Sequence, residues 1–246
     1  MSTKIYVAGH NNFDFPCDSG YVPMICGQDL INIDTVFCCD NSNDNISKLN
    51  KNFCELTALY WIWKNDSSSS VVGLNHYRRF FAKKNIGCEK FTEYNSGKTL
   101  IKREISASND FNIGENYDLD IIVSEKHHVG NIIQQYSMCH YVEDMYIVRN
   151  IIDKVYPEYI PAYDFLITNC NYISRGNMFV AKKHIADEYS KWIFDILFAM
   201  ADMKFYNNYD DYQKRVFGFI SERIMGVWLL KNRQNICMER RNIIEF

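Results

Sequence analysis

The tetrad His76, Tyr77, Arg78 and Arg79 follows directly on the apolar run VVGLN. A guanidinium is a flat fork of N–H donors that matches a pair of phosphate or carboxylate oxygens, so two adjacent arginines suit either structural ion pairs or a bound anion. In open α/β sheets ligands sit beyond the carboxyl ends of strands, and that position favours a phosphate here. The same rule makes His10 and Asn11 site candidates, because KIYVAG reads as a first strand emptying into a polar loop; a plain strand-to-helix turn is the alternative.

Carboxylates supply the other half of the chemistry. Glu55 lies in the first turn of an apolar helical stretch, FCELTALYWIWKN, where Asn52 and Glu55 match an Asn-x-x-Glu capping pattern unless Glu55 serves a site. Asp118 and Asp120 form an Asp-x-Asp that could hold a divalent cation, but they precede the apolar run IIV and so belong to a strand's entrance. His140 and Asp144 are four apart and share a helix face, as an acid–base pair or as a surface bond or cap. Arg215, Gly218, Glu222 and Gly226 recur at intervals of three, four and four, a polar and small-residue stripe on an otherwise apolar helix. Arg215 and Glu222 are about 10 Å apart along such a helix, too far to satisfy one another, so the stripe lines a groove or joins a wider network of buried charges.

The elements that must position these residues follow from composition and periodicity. The chain has 246 residues, 47% of them hydrophobic, enough for one α/β domain with a sizeable core. Helices are predicted from about Asn52, through Tyr141 to Val155, from about Lys183 with Ile185, Tyr189, Trp192, Ile196 and Met200 as a core stripe, and from about Tyr209 to Leu230. YISRGNMFVAKK reads as a strand entered through Arg175, Gly176 and Asn177, and residues 82–116 as a long excursion. Within it, NSGKT falls short of a P-loop, which needs glycine where Thr92 stands.

Several function classes lose their support. With 27 Lys and Arg against 30 Asp and Glu the net charge is −3, which offers nucleic acid no global field. Nine cysteines without a C-x-x-C read as reduced, mostly buried thiols of a cytoplasmic protein. The start MSTKIYVAG has no signal-peptide pattern, and no apolar run is long enough to span a bilayer. Lys231, Arg233, Arg240 and Arg241 give a basic carboxyl-terminal patch that could rest on anionic lipid, diluted by Glu239 and Glu245. G-x-S-x-G, G-x-G-x-x-G and H-E-x-x-H do not occur.

Taken together, KIYVAGHN, YVPMICG, DNISKLNKNFCELTALYWIWKN, VVGLNHYRRFF, YPEY, GNMFVAKK, YSKWIFDIL and RVFGFISERIMGVWL resemble a bacterial family of capsular and exopolysaccharide biosynthesis glycosyltransferases. It was first catalogued as a domain of unknown function, and some members are described as galactofuranosyltransferases. The resemblance runs nearly end to end, and the ELTALYWIWKN and HYRRFF blocks together carry its specificity.

The resemblance implies a GT-A-like, Rossmann-related single domain, with a nucleotide-sugar half (1–125) and a mostly helical acceptor-side half (126–246). Many GT-A enzymes carry a metal on an Asp-x-Asp at the end of the strand that follows a helix with a Leu-Tyr pair. Here that strand ends in His76-Tyr77-Arg78-Arg79, so the cationic cluster is expected to hold the diphosphate with no cofactor required, Mg²⁺ or Mn²⁺ not being favoured. The implied donor is a UDP-sugar, with His10, Asn11, Asn50, Glu55 and residues 76–79 on the donor side. His140, Asn177 and Arg215 fall on the acceptor side. An inverting transfer needs a carboxylate base, for which the order is Glu222, Asp144, Asp120. The implied acceptor is a lipid-linked glycan, met at the inner face of the membrane. A non-catalytic binder of nucleotides or anionic glycans is the competing class.

Overall fold

The computed structural model describes residues 2–84 and 104–246; the NSGKT stretch lies outside them. Among the described residues a nine-stranded mixed sheet forms the centre. Its first half contributes β1 (Thr3–Gly9), β2 (Tyr21–Ile25), β3 (Cys38–Cys39), β4 (Val71–His76), β5 (Arg79–Phe81) and β6 (Ile121–Ser124). The second half adds β9 (Phe179–Lys182), β10 (Met238–Arg241) and β11 (Ile243–Glu245), while β7 (Lys126–His128) and β8 (Tyr172–Ser174) pair in a small separate ribbon. The order is β10-β6-β9-β4-β1-β2-β3, with β9 antiparallel to both its neighbours, so strands of the two halves interleave and neither half closes its own sheet.

Helices α1 (Gln28–Ile31), α2 (Asn50–Phe53), α3 (Leu56–Asn65), α4 (Ile132–Cys139), α5 (Glu143–Val155), α6 (Ile160–Asn169), α7 (Lys183–Asp202) and α8 (Val216–Asn232) complete the fold. β4 is buried from Val71 to Asn75 because apolar side chains cover both faces of the sheet. Val72 and Leu74 pack with α3, α7 and α8, whereas Val71 joins Ile5, Val7, Phe80 and Ile244 on the other side. The expected α7 stripe of Ile185, Tyr189, Trp192, Ile196 and Met200 is buried throughout.

Five local expectations are corrected. The helix predicted from Asn52 is broken at Cys54, whose φ of 52° and ψ of −131° suit glycine better than a side-chain-bearing residue. The capping pattern does not form: Asn52 donates to the Lys214 carbonyl, and Glu55 makes no cap bond. His140 ends α4 instead of opening the next helix, and the YISRGNMFVAKK strand is two strands, β8 and β9, separated by a turn at Arg175–Asn177. The last helix begins at Val216, so Arg215 stands just before its first turn.

β4, β1, β2 and β3 run parallel, which brings their carboxyl ends to one edge. The register pairs Ala8 with His76 and Gly9 with Ile25, and the Tyr77 and Cys26 N–H groups donate to the Ala8 and Gly9 carbonyls, so the residues that follow β1, β2 and β4 leave the sheet together. No helix of the described residues is long and apolar enough to cross a membrane, and the cysteines at described positions are all free thiols.

Candidate active site

A cavity of about 850 Å³ opens at this sheet edge, bounded by the ends of β1 and β4, by Asn50 to Glu55, and by the start of α8. Its construction follows from two breaks in regular structure. At Cys54 the chain leaves α2 in a strained conformation and turns Glu55 toward the cavity; the Cys54 side chain lies against Gly218, where an added Cβ would come within 3.4 Å of its sulfur. At Arg175–Asn177 the turn holds two consecutive left-handed residues, Gly176 at φ 79° and Asn177 at φ 52°.

That turn ties three ionisable side chains together. The Gly176 carbonyl lies 2.5 Å from His76 Nε2, which donates to it. The Gly176 N–H donates to Glu222 Oε1 at 2.7 Å, and Asn177 Nδ2 donates to Glu55 Oε1 at 2.7 Å. Glu55 Oε1 stands 4.0 Å from His76 Nε2. Glu222 also accepts from Arg223 Nη1 at 3.1 Å, and Arg223 is itself held by Gln135. Burial pushes the Glu222 carboxyl above the usual range, with the nearby Glu55 adding to the rise and Arg223 opposing it. The Cys54 thiol is likewise pushed up by burial, to about 11, which leaves it protonated at neutral pH.

Cations surround the carboxylates. Arg78 is exposed, its guanidinium 4.7 Å from the centre of the Tyr77 ring. Arg79 donates to Glu245 Oε1 at 2.8 Å. Arg215 reaches Cys54 Sγ at 3.4 Å and lies 5.5 Å over the Phe219 ring. Lys51 and Lys214 complete the basic lining, with Asp211 and Glu245 as the outer carboxylates.

The cavity thus gathers His10, Asn50, Glu55, His76, Tyr77, Arg78, Arg79, Arg215 and Glu222 from the sequence candidates. Asn177 sits just beneath, buried, holding Glu55. Asn11 is exposed and off the wall. His140 stands one layer behind, stacked on Phe219 at 4.0 Å and bonded to Gln213. It forms no pair with Asp144, because the break between α4 and α5 separates them. Asp144 is buried away from the cavity, accepting from Tyr136 at 3.0 Å and Tyr209 at 2.8 Å. Asp120 lies at the entrance of β6, on the opposite sheet edge, where it pairs with Lys182 at 2.8 Å and accepts from the Cys237 N–H. As candidate bases, Asp144 and Asp120 are therefore not where an acceptor could reach them from this cavity. Among the described residues no group of three or more His, Cys, Asp and Glu is placed to hold a metal ion.

Sequence reasoning missed Lys51, Lys214, Gly176 and Glu245. Gly176 carried a usable signal, since a glycine followed by asparagine before a strand marks left-handed backbone. Glu245 carried none.

Residues 4–233 match the family described as a domain of unknown function, DUF4422. Among solved structures, the apo form of the WbbM bifunctional glycosyltransferase superposes with a TM-score of 0.84 at 27% identity over 99% of this chain. The chain spans 45% of the length of that protein. No curated protein matches. The mixed sheet and this likeness give the GT-A-like α/β fold expected from the sequence. By a match that runs over nearly its whole length, the chain belongs to the DUF4422 family.

Proposed function

We propose that the protein is a glycosyltransferase that moves a sugar from a UDP-sugar, galactofuranose being the first to test, to a lipid-linked glycan acceptor in capsular or exopolysaccharide synthesis. The observation that supports it best is one cavity in which Arg78, Arg79, Arg215 and two lysines face Glu55 and Glu222. The likeness to a glycosyltransferase supports the reaction class.

In this reading the cations receive the diphosphate. As the bond from the anomeric carbon to the diphosphate oxygen breaks, its electron pair passes to that oxygen, and preorganised positive charge there lowers the barrier. No metal is required. The acceptor hydroxyl attacks the anomeric carbon and gives its proton to Glu222, whose raised basicity suits the task and whose bonds to Gly176 and Arg223 fix its position. Glu55, oriented by Asn177, takes a hydroxyl of the donor sugar. His10 and Asn50 face the uridine, and the protein meets its acceptor by peripheral contact at the inner membrane face.

Calorimetric titration with UDP, in EDTA and then with Mn²⁺, tests the donor site. Binding that survives EDTA and falls at least tenfold in the Arg78→Ala, Arg215→Ala double variant is expected. A requirement for Mn²⁺ with indifference to the arginines would refute it. The competing non-catalytic reading is separated by Glu222→Gln, which should abolish UDP release from UDP-galactofuranose while keeping UDP affinity.

A further inference from the structure

Glu245 occupies an unusual position for a cavity carboxylate. Its Oε1 accepts from Arg79 Nε at 2.8 Å and from Arg175 Nη2 at 3.0 Å, while Oε2 lies 3.0 Å from Arg175 Nη1. One anion is thus gripped bidentately by one guanidinium and singly by a second, the arrangement by which arginines hold a phosphoryl group. The two arginines come from far apart in the fold. Arg79 begins β5, immediately after the His76–Arg78 tetrad residues, and Arg175 opens the turn that carries Gly176 and Asn177. Glu245, at the end of β11, is delivered to them by the pairing of β11 with β5, in which it stands opposite Arg79.

We infer that Arg79 and Arg175 form a phosphoryl-binding subsite at the rim of the cavity, where Arg79 and Glu245 line the wall and Arg175 meets Glu245 from beside it, and that Glu245 is an internal anion which fills the subsite until a phosphoryl ligand displaces it. The inference rests on the proposed nucleotide-sugar reading for its ligand, and on the clamp geometry for its location. Exchange is physically accessible because the side chains of Arg79, Arg175 and Glu245 are 29%, 38% and 41% exposed, and ion pairs so open to water are weak. A phosphoryl group brings more charge and more acceptor oxygens than a carboxylate, so it wins the competition for the same two forks. Arg79 then enters the donor site only after leaving Glu245, whereas Arg78 stands exposed over Tyr77 from the outset.

The test measures binding of inorganic pyrophosphate and of UDP to the whole chain by calorimetry. Glu245→Gln keeps the shape of the side chain and removes the charge, and its melting temperature verifies the fold. Tightening of pyrophosphate and UDP by roughly two- to thirtyfold is expected, the range that loss of two exposed pairs allows. Asp211→Asn makes the same charge change at the same cavity, and should tighten either ligand much less. Adding Arg175→Ala to Glu245→Gln should erase the gain. No gain in Glu245→Gln, an equal gain in Asp211→Asn, or a gain that persists without Arg175 would overturn the subsite while leaving a UDP site intact. Failure of every variant to bind UDP or pyrophosphate would overturn both readings. Pyrophosphate excluded by saturating UDP assigns the subsite to the donor diphosphate, and pyrophosphate bound beside UDP assigns it to a phosphate of the acceptor; both support the phosphoryl assignment.

Discussion

Gly176→Ala isolates the turn that organises the cavity. Gly176 has φ 79° and ψ 16°, and an added Cβ would find Met178 at 3.5 Å and His76 Nε2 at 3.7 Å, ordinary contact distances. Steric collision is therefore excluded, and the cost is the left-handed backbone itself, about 1–2 kcal/mol for an L-residue. For a chain of this size that lowers the melting temperature by about 2–8 °C. Differential scanning calorimetry reads the shift directly. Gly176→Asn is the control, because asparagine tolerates left-handed backbone and should lose much less. If alanine relaxes the turn instead of bearing the strain, the Gly176 carbonyl and N–H leave His76 and Glu222, and turnover falls while UDP affinity holds. An alanine variant that melts with the wild type and turns over normally would refute the assignment of the turn as the organiser.

Other predictions follow from the same contacts. Asp144→Ala leaves the buried Tyr136 hydroxyl without its acceptor and should cost about 1–3 kcal/mol in urea denaturation, with UDP affinity unchanged. Glu222 has a folded-state pKa raised above its unfolded value, so the folded state holds that proton more tightly; the contribution to stability is fully present below the unfolded pKa near 4.5 and is lost as pH rises through the folded one. Glu222→Gln should therefore gain stability relative to the wild type as pH climbs out of that range, measured as denaturation midpoints across pH. Asn177→Ala removes the donor to Glu55 at 2.7 Å, and at a left-handed residue, so it should both destabilise by about 2 kcal/mol and weaken discrimination between UDP-sugars in a turnover assay.

How legible the site was depends on what held each residue. His76 to Arg79 could be placed because a strand's apolar run and its polar exit are written consecutively, and the rule about carboxyl ends of strands does the rest. The Arg215–Glu222 stripe was legible for a similar reason: helical spacing put polar and small residues on one line, and Arg215, Gly218 and Glu222 do face the cavity. Gly226 left the line for packing, with Leu166 as close as 3.0 Å to where a Cβ would sit. Glu55 stands out in the sequence as a carboxylate at the head of an apolar stretch, but what orients it, the backbone strain at Cys54 and the bond from Asn177, has no periodic signature. Asp144 misled because a buried carboxylate satisfied by two tyrosine hydroxyls and an exposed catalytic one look alike in sequence. Partnerships such as Arg79 with Glu245 are set by strand pairing between distant segments, which composition and spacing do not encode.

The Arg175–Asn177 turn and the Glu245 clamp also bear on how the chain folds. Glu55 and Asn177 are 122 positions apart, His76 and Gly176 are 100, Gly176 and Glu222 are 46, and Arg79 and Glu245 are 166. Contacts of such range form only after long loops have closed, late in the acquisition of structure. The cavity is consequently assembled by the global folding event and not by any local element. In refolding from denaturant, UDP binding should return with the slowest structural phase, which makes ligand binding a direct clock for completion of the native topology.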